Sequence, residues 1–260
     1  MYYETILNDY SNDWVMFIHG LGGSINTWKK QLEDFSKKFN LLLIDLDGHG
    51  KSECIESKNT YKPEENIIQI NNILIKENIK KVNIVSLSLG TLVALEFALK
   101  YPQKVASNIL AGCIINLDTK RMALLNFIQK VKKYMPKNVL YNLFAMVMLP
   151  KNNHKLSRKI FIRESKKMNK KSFIEWINSI DLSKFKLNDY IESINKNNIP
   201  TLFITGNEDY LFLKGIRKLK YRIKDFNLKI INHCGHVCSI EKAENFNNIS
   251  LNFLEKEENS

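Results

Sequence analysis

Short apolar runs recur along this chain. They are WVMFI (14–18), LLLID (41–45), VNIVS (82–86), SNILA (107–111), TLFIT (201–205) and NLKII (227–231). Each has strand length, and most are rich in leucine or β-branched residues. Between them, near 25–38, 64–79, 90–101, 212–224 and 242–257, apolar positions recur at helical spacing. Short apolar strands alternating with helices predict an α/β fold, a mostly parallel central sheet flanked by helices on both faces.

The alternation breaks between about 114 and 190. No strand-like run occurs there. The stretch reads as amphipathic helices punctuated by Pro136 and Pro150, with much apolar surface in VLYNLFAMVML (139–149) and SFIEWINSI (172–180). The expected organisation is a first core segment (1–113), an all-helical cap or lid (114–190) inserted after the sixth strand, and a second core segment (191–260). Phe127, Met135, Leu143, Phe144, Met146, Met148 and Trp176 are the cap side chains expected over a pocket, with Trp28 as a further wall. A lining of methionines and aromatics suits apolar acyl or aryl groups.

A chain of 260 residues with 44% apolar content can bury one sizeable core with an inserted subdomain. No apolar run approaches the roughly 20 residues that cross a bilayer. The opening MYYETILNDY has neither the basic nor the apolar region of a secretory signal, so the expected location is cytoplasmic. Cys54, Cys113, Cys234 and Cys238 are expected as free thiols. The net charge is +12, and residues 118–190 hold 17 Lys and Arg against 5 Asp and Glu. Such a stretch is either a solvated basic surface or an attractor of anionic substrates. It carries no recognised nucleic-acid motif.

The chemistry gathers where strands end, as parallel α/β sheets require. HGLGGS (19–24) follows the first run, and its glycines let backbone N–H groups turn inward. LDGHGKS (46–52) follows the second; His49 is a base by type but reads as a structural loop histidine. After VNIVS comes Ser88, between Ser86 and Gly90 and just before a helix. A serine is a poor nucleophile until a base takes its proton. A sharp strand-to-helix turn exposes its oxygen and sets the next N–H beside it, the arrangement of a G-x-S-x-G elbow. GNEDYL (206–211) offers Asp209, with Glu208 in reserve, to orient a histidine. NHCGHVCSIEKAENF (232–246) offers His236 and His233, and its H-C-G-H-V-C string also admits a metal reading. Ser, then Asp, then His is the chain order of α/β-hydrolases and of neither protease class.

On these segments the sequence resembles the α/β-hydrolase superfamily, in its capped branch of small esterases and related C–C bond enzymes. The likeness rests on HG at 19–20 with Leu21, D-L-D-G-H-G-K-S at 45–52, S-L-S-L-G at 86–90, G-N-E-D at 206–209, and G-H at 235–236 with Glu241, Glu244 and Phe246 beyond. It departs at Ser86, where the elbow usually has glycine, and at Ala243, where the ending usually has proline.

The resemblance implies a catalytic triad of Ser88, His236 and Asp209, an oxyanion hole from the backbone N–H groups of Leu21 and Leu89, and no metal or organic cofactor. It implies hydrolysis of a small carboxylic ester or thioester. An alternative is the chemistry of 2-succinyl-6-hydroxy-2,4-cyclohexadiene-1-carboxylate synthase, a lyase of the same branch, or of a C–C hydrolase. Arg121, Arg158 and Arg163 would then clamp substrate carboxylates. A lesser alternative is a non-catalytic binder of the same fold. The expected partner is a small-molecule ester or carboxylate, with no nucleic acid, no stable membrane insertion and a monomeric or dimeric state.

Overall fold

Every apolar run forms a strand, and a seventh strand joins them. The computed structural model of the chain describes residues 1–52, 63–115, 130, 132, 134–168, 170–179 and 186–258. The strands are β1 (Tyr2–Ile6), β2 (Trp14–Ile18), β3 (Asn40–Asp45), β4 (Val82–Leu87), β5 (Val105–Ala111), β6 (Thr201–Gly206) and β7 (Asn227–Ile231). They form one sheet in the order β1-β3-β2-β4-β5-β6-β7. β1 runs antiparallel to β3, and every other neighbour is parallel. β1 escapes the hydrophobic pattern because it is an outer strand, with Glu4 and Thr5 exposed.

The described helices are α1 (Lys29–Ser36), α2 (Pro63–Lys76), α3 (Leu89–Lys100), α4 (Lys137–Met148), α5 (Lys155–Ser165), α6 (Lys170–Ser179), α7 (Leu187–Asn197), α8 (Leu213–Lys218), α9 (Cys238–Glu241) and α10 (Ala243–Glu258). Alternate residues of each central strand enter two separate cores. Val15, Phe17, Leu41 and Leu43 pack with Phe35 of α1 and Leu254 of α10. Met16, Ile18, Leu42 and Ile44 face the opposite way, with Ile70 of α2, Val93 of α3 and Ile194 of α7. The period of two in the strands thus feeds both helical layers.

Helices α4, α5 and α6 lie between β5 and β6 in chain order. They follow the fifth strand rather than the expected sixth, because β1 adds only one strand to the four runs read before them. Pro136 stands as the N-cap of α4, and Pro150 follows its C-cap, Leu149. The expected boundary at 190 falls inside α7, whose Tyr190, Ile191 and Ile194 are buried in the main core.

The turn from β4 to α3 requires glycine at position 90. A Cβ there would lie 2.3 Å from the Ile18 carbonyl oxygen and 2.7 Å from that of His19. Gly90→Ala therefore forces α3 away from the end of β2. The expected loss is on the order of 3 kcal/mol, the upper end of overpacking costs. A lowered urea midpoint with an unchanged slope would show it.

Candidate active site

Ser88 sits on the elbow between β4 and α3 with φ 51° and ψ −118°. A positive φ is uncommon for a residue with a side chain, and here it turns the hydroxyl out of the sheet's end. The Ser88 N–H donates to the Ala111 carbonyl at 2.9 Å, which ties the elbow to β5. Ser86, the departure from the usual glycine, is accommodated within β4, where its buried hydroxyl donates to the Ile109 carbonyl at 3.2 Å.

Two loops bring partners to this oxygen. His236 follows β7, and its Nε2 lies 2.8 Å from Ser88 Oγ. Its Nδ1 lies 2.8 Å from Asp209 Oδ2, on the loop after β6. Asp209 also accepts from the Thr205 hydroxyl and the Phe212 N–H, each at 3.2 Å. Burial alone would raise the Asp209 pKa. The charge of His236 and these hydrogen bonds outweigh it and hold the carboxyl below its ordinary value. With Nδ1–H donating to Asp209, Nε2 is left to accept the Ser88 proton. Gly112, at φ 52°, makes room for this histidine, since a Cβ there would sit 3.0 Å from the imidazole.

The two reserve residues stand elsewhere. His233 is exposed, on a turn at φ 51°. Glu208 points away from His236 and engages Lys151, Asn153 and His154. Among the described residues no group of three His, Cys, Asp or Glu is arranged to hold an ion. Burial pushes the thiols of Cys234 and Cys238 above their ordinary pKa, and that of Cys113 up to about 12. These three are free and buried; Cys54 lies outside the described residues.

The glycine loop after β2 is held by two buried histidines. His19 Nε2 accepts the Leu46 N–H, and His49 Nε2 accepts the Gly22 N–H, both at 3.0 Å. Their Nδ1 atoms donate to the carbonyls of Gly20 and Asp47. Burial lowers the pKa of both rings, which keeps them neutral. His49 is therefore a loop anchor, as its place in the sequence predicts. The loop brings Gly20 against Ser88: a Cβ on Gly20 would lie 3.2 Å from the Ser88 Cβ. Among the described residues neither the Leu21 nor the Leu89 N–H has a hydrogen-bond acceptor.

A cavity of about 50 Å³ opens beside Ser88 and His236, with Leu21, Phe144, Met148, Phe161 and Glu164 in its wall. Phe144 and Met148 are where expected, but most of the proposed lining is not. Trp28 is fully buried beneath the site, packed on Phe17. Trp176 is also fully buried, and its Nε1 donates to the Asp47 carbonyl at 2.9 Å. Leu143 lies off the cavity and Met146 is 52% exposed, because α4 presents Phe144, Ala145 and Met148 to the cavity. Phe127 and Arg121 lie outside the described residues. The other proposed clamps are already engaged: Arg158 with the carbonyls of Leu149 and Lys151, Arg163 with Glu164 of the cavity wall.

Further lining, beyond the residues expected from the sequence, comes from α5. Ser157, Ile160, Phe161 and Glu164 all face the cavity. Their spacing of i, i+3, i+4 and i+7 is the signature of one helix face and was available in the sequence. Burial would raise the Glu164 pKa, but hydrogen bonds from Lys167, Arg163 and Ser24 reverse the shift and keep it ionised. Ser157 Oγ is buried with no hydrogen-bond partner among the described residues.

A family model described as alpha/beta hydrolase fold matches residues 13–243. The chain belongs to this family. Among curated members, a 2-hydroxy-6-oxononadienedioate/2-hydroxy-6-oxononatrienedioate hydrolase of Klebsiella pneumoniae is 25% identical, over 92% of this chain and 86% of its own. Two solved structures of α/β hydrolases share the fold. A carboxylesterase structure from Nitrososphaera gargenis has a TM-score of 0.84 at 20% identity, covering 99% of this chain and 95% of that one. The structure of MenH from S. aureus has a TM-score of 0.80 at 19% identity, covering 98% of each. Among the described residues no helix is long and apolar enough to cross a membrane.

Proposed function

We propose that this protein is a serine hydrolase that cleaves small, uncharged carboxylic esters or thioesters through an acyl-enzyme. Family membership supports hydrolysis in general. The observation that supports a serine mechanism is the pair of 2.8 Å contacts joining Ser88 Oγ, His236 and Asp209.

In this reading Ser88 Oγ attacks the carbonyl carbon while His236 Nε2 takes its proton. The N–H groups of Leu21 and Leu89 receive the developing oxyanion; each such donor is worth roughly 100- to 1,000-fold in rate. Collapse of the tetrahedral adduct expels the alcohol or thiol, which leaves with the proton from His236. Water, deprotonated by the same imidazole, attacks the acyl-Ser88 ester, and a second collapse releases the acid and restores the serine. Asp209 keeps Nδ1 protonated throughout and stabilises the imidazolium. Helices α4 to α6 act as the cap.

The cavity wall argues for an uncharged substrate. It contains the Glu164 carboxylate, and among the described residues no lysine or arginine. Lys167 and Arg163, the cations beside Glu164, are already paired with it, so a substrate with several carboxylates would have to compete with Glu164 for them. Ser157 Oγ remains able to hydrogen-bond a polar atom of the bound ester.

The cavity also sets a size limit. A volume of about 50 Å³ holds a few waters or a short acyl group. Among p-nitrophenyl esters, kcat/KM is expected to be highest from acetyl to butyryl. It should fall by about tenfold or more by octanoyl, since extra methylenes must displace packed side chains. A dodecanoyl optimum would overturn the size argument. Absence of ester turnover, together with pyruvate release from the cyclohexadiene substrate, would replace hydrolysis with the lyase reaction.

A further inference from the structure

His154, which stands just before α5, is fully buried. Its Nδ1 accepts the Lys151 N–H at 3.4 Å, so the ring proton lies on Nε2. That nitrogen faces two carboxylates, Glu208 Oε2 at 2.9 Å and Glu241 Oε2 at 3.6 Å. The approach is close enough that a Cβ on Gly235 would lie 2.8 Å from the ring.

The two carboxylates bear directly on the triad. Glu241 accepts the Gly235 N–H at 2.8 Å through Oε2 and the Val237 N–H at 3.2 Å through Oε1. It therefore grips the backbone on both sides of His236. Glu208 is the residue before Asp209, and its N–H donates to the Cys234 carbonyl at 2.9 Å, joining the acid loop to the histidine loop. Asn153 donates to Glu208 Oε2 at 2.7 Å, and Lys151 lies 3.0 Å from Oε1. These bonds, that from Asn153 foremost, hold the Glu208 carboxyl down to about 2.

From this convergence we infer that His154 is a positioning residue: its imidazole clasps the start of α5 to the two glutamates that set the loops of Asp209 and His236. The helical insertion then does more than cover the cavity. Its attachment point holds the imidazole at the distance that activates Ser88. The inference rests on the Ser-His-Asp reading above.

The test measures how fast Ser88 is phosphonylated by an uncharged fluorophosphonate, alongside kcat and KM for p-nitrophenyl acetate. His154→Ala is expected to slow both phosphonylation and kcat by about 10- to 100-fold, the scale of a small misplacement of a catalytic group, with KM little changed. His154→Gln keeps an N–H near the Nε2 position and should recover most of the rate. The His154→Ala/Glu208→Ala pair should lose no more than the worse single variant, because both cut one connection. Equal rates for His154→Ala and wild type, with only the melting temperature lowered, would overturn the inference while leaving the triad intact. Failure of His154→Gln to recover the rate would overturn it too. A wild-type protein unreactive at Ser88 would overturn the triad reading and this role with it.

Discussion

Ser88→Ala is expected to lower kcat for p-nitrophenyl acetate by on the order of a million-fold, to the residual rate that oxyanion binding alone supports. The size of the effect follows from the site's construction. Removing Oγ leaves His236 with nothing to deprotonate except water, which has no fixed position beside the ester carbon. The fold should be nearly untouched, because Ser88 is bound to its neighbours through backbone groups. Its N–H meets the Ala111 carbonyl, and its own carbonyl accepts from Thr91. The positive φ strains alanine as it does serine, so the melting temperature should stay within a few degrees of wild type. Unchanged ester turnover in this variant would remove serine catalysis from consideration. Ligand binding that persists without any turnover in the wild type would favour a binder.

Asp209→Asn is the second large effect, a loss of roughly ten-thousand-fold in kcat. The asparagine amide fits the same space, but its NH₂ can face Nδ1 and force the proton onto Nε2. The imidazole then cannot accept from Ser88. Glu208 cannot substitute. Its two oxygens are held by Lys151, Asn153 and His154, on the side of the loop away from His236. Parallel assays of Asp209→Asn and Glu208→Gln decide the assignment. A larger loss in Glu208→Gln would mean that the acid has been placed one residue too late.

Much of this was legible in the sequence, for physical reasons that differ from element to element. The five inner strands, β2 to β6, are buried on both faces and appear as apolar runs, and β7, at one edge with Lys229 exposed, keeps enough apolar residues to be read as well. β1 pairs on one side only and reads as polar. The candidate site residues lie at strand ends, where small residues and turns mark the corners, so the chain order Ser88, Asp209, His236 is legible there. The cavity wall was harder. Trp28 and Trp176 are conspicuous in sequence near the right loops, yet large aromatics serve equally well in a core, and both ended there. The α5 face is hard to read because its lysines and arginines dominate the local composition and obscure four inward positions. His154 had no local signal at all. Its partners are 54 and 87 positions away, and only the tertiary fold joins them.

The open ends of the sheet bear on how the protein behaves in a crowded solution. β1 and β7 are its outermost strands, and each presents backbone groups to which another chain's strand can add. Glu4 on β1 is paired with Lys51, and Lys229 projects from β7 into solvent. An intruding strand would have to bury one of these charges to extend the ladder. The charges guard the molecule against edge-to-edge aggregation, a protection independent of its chemistry.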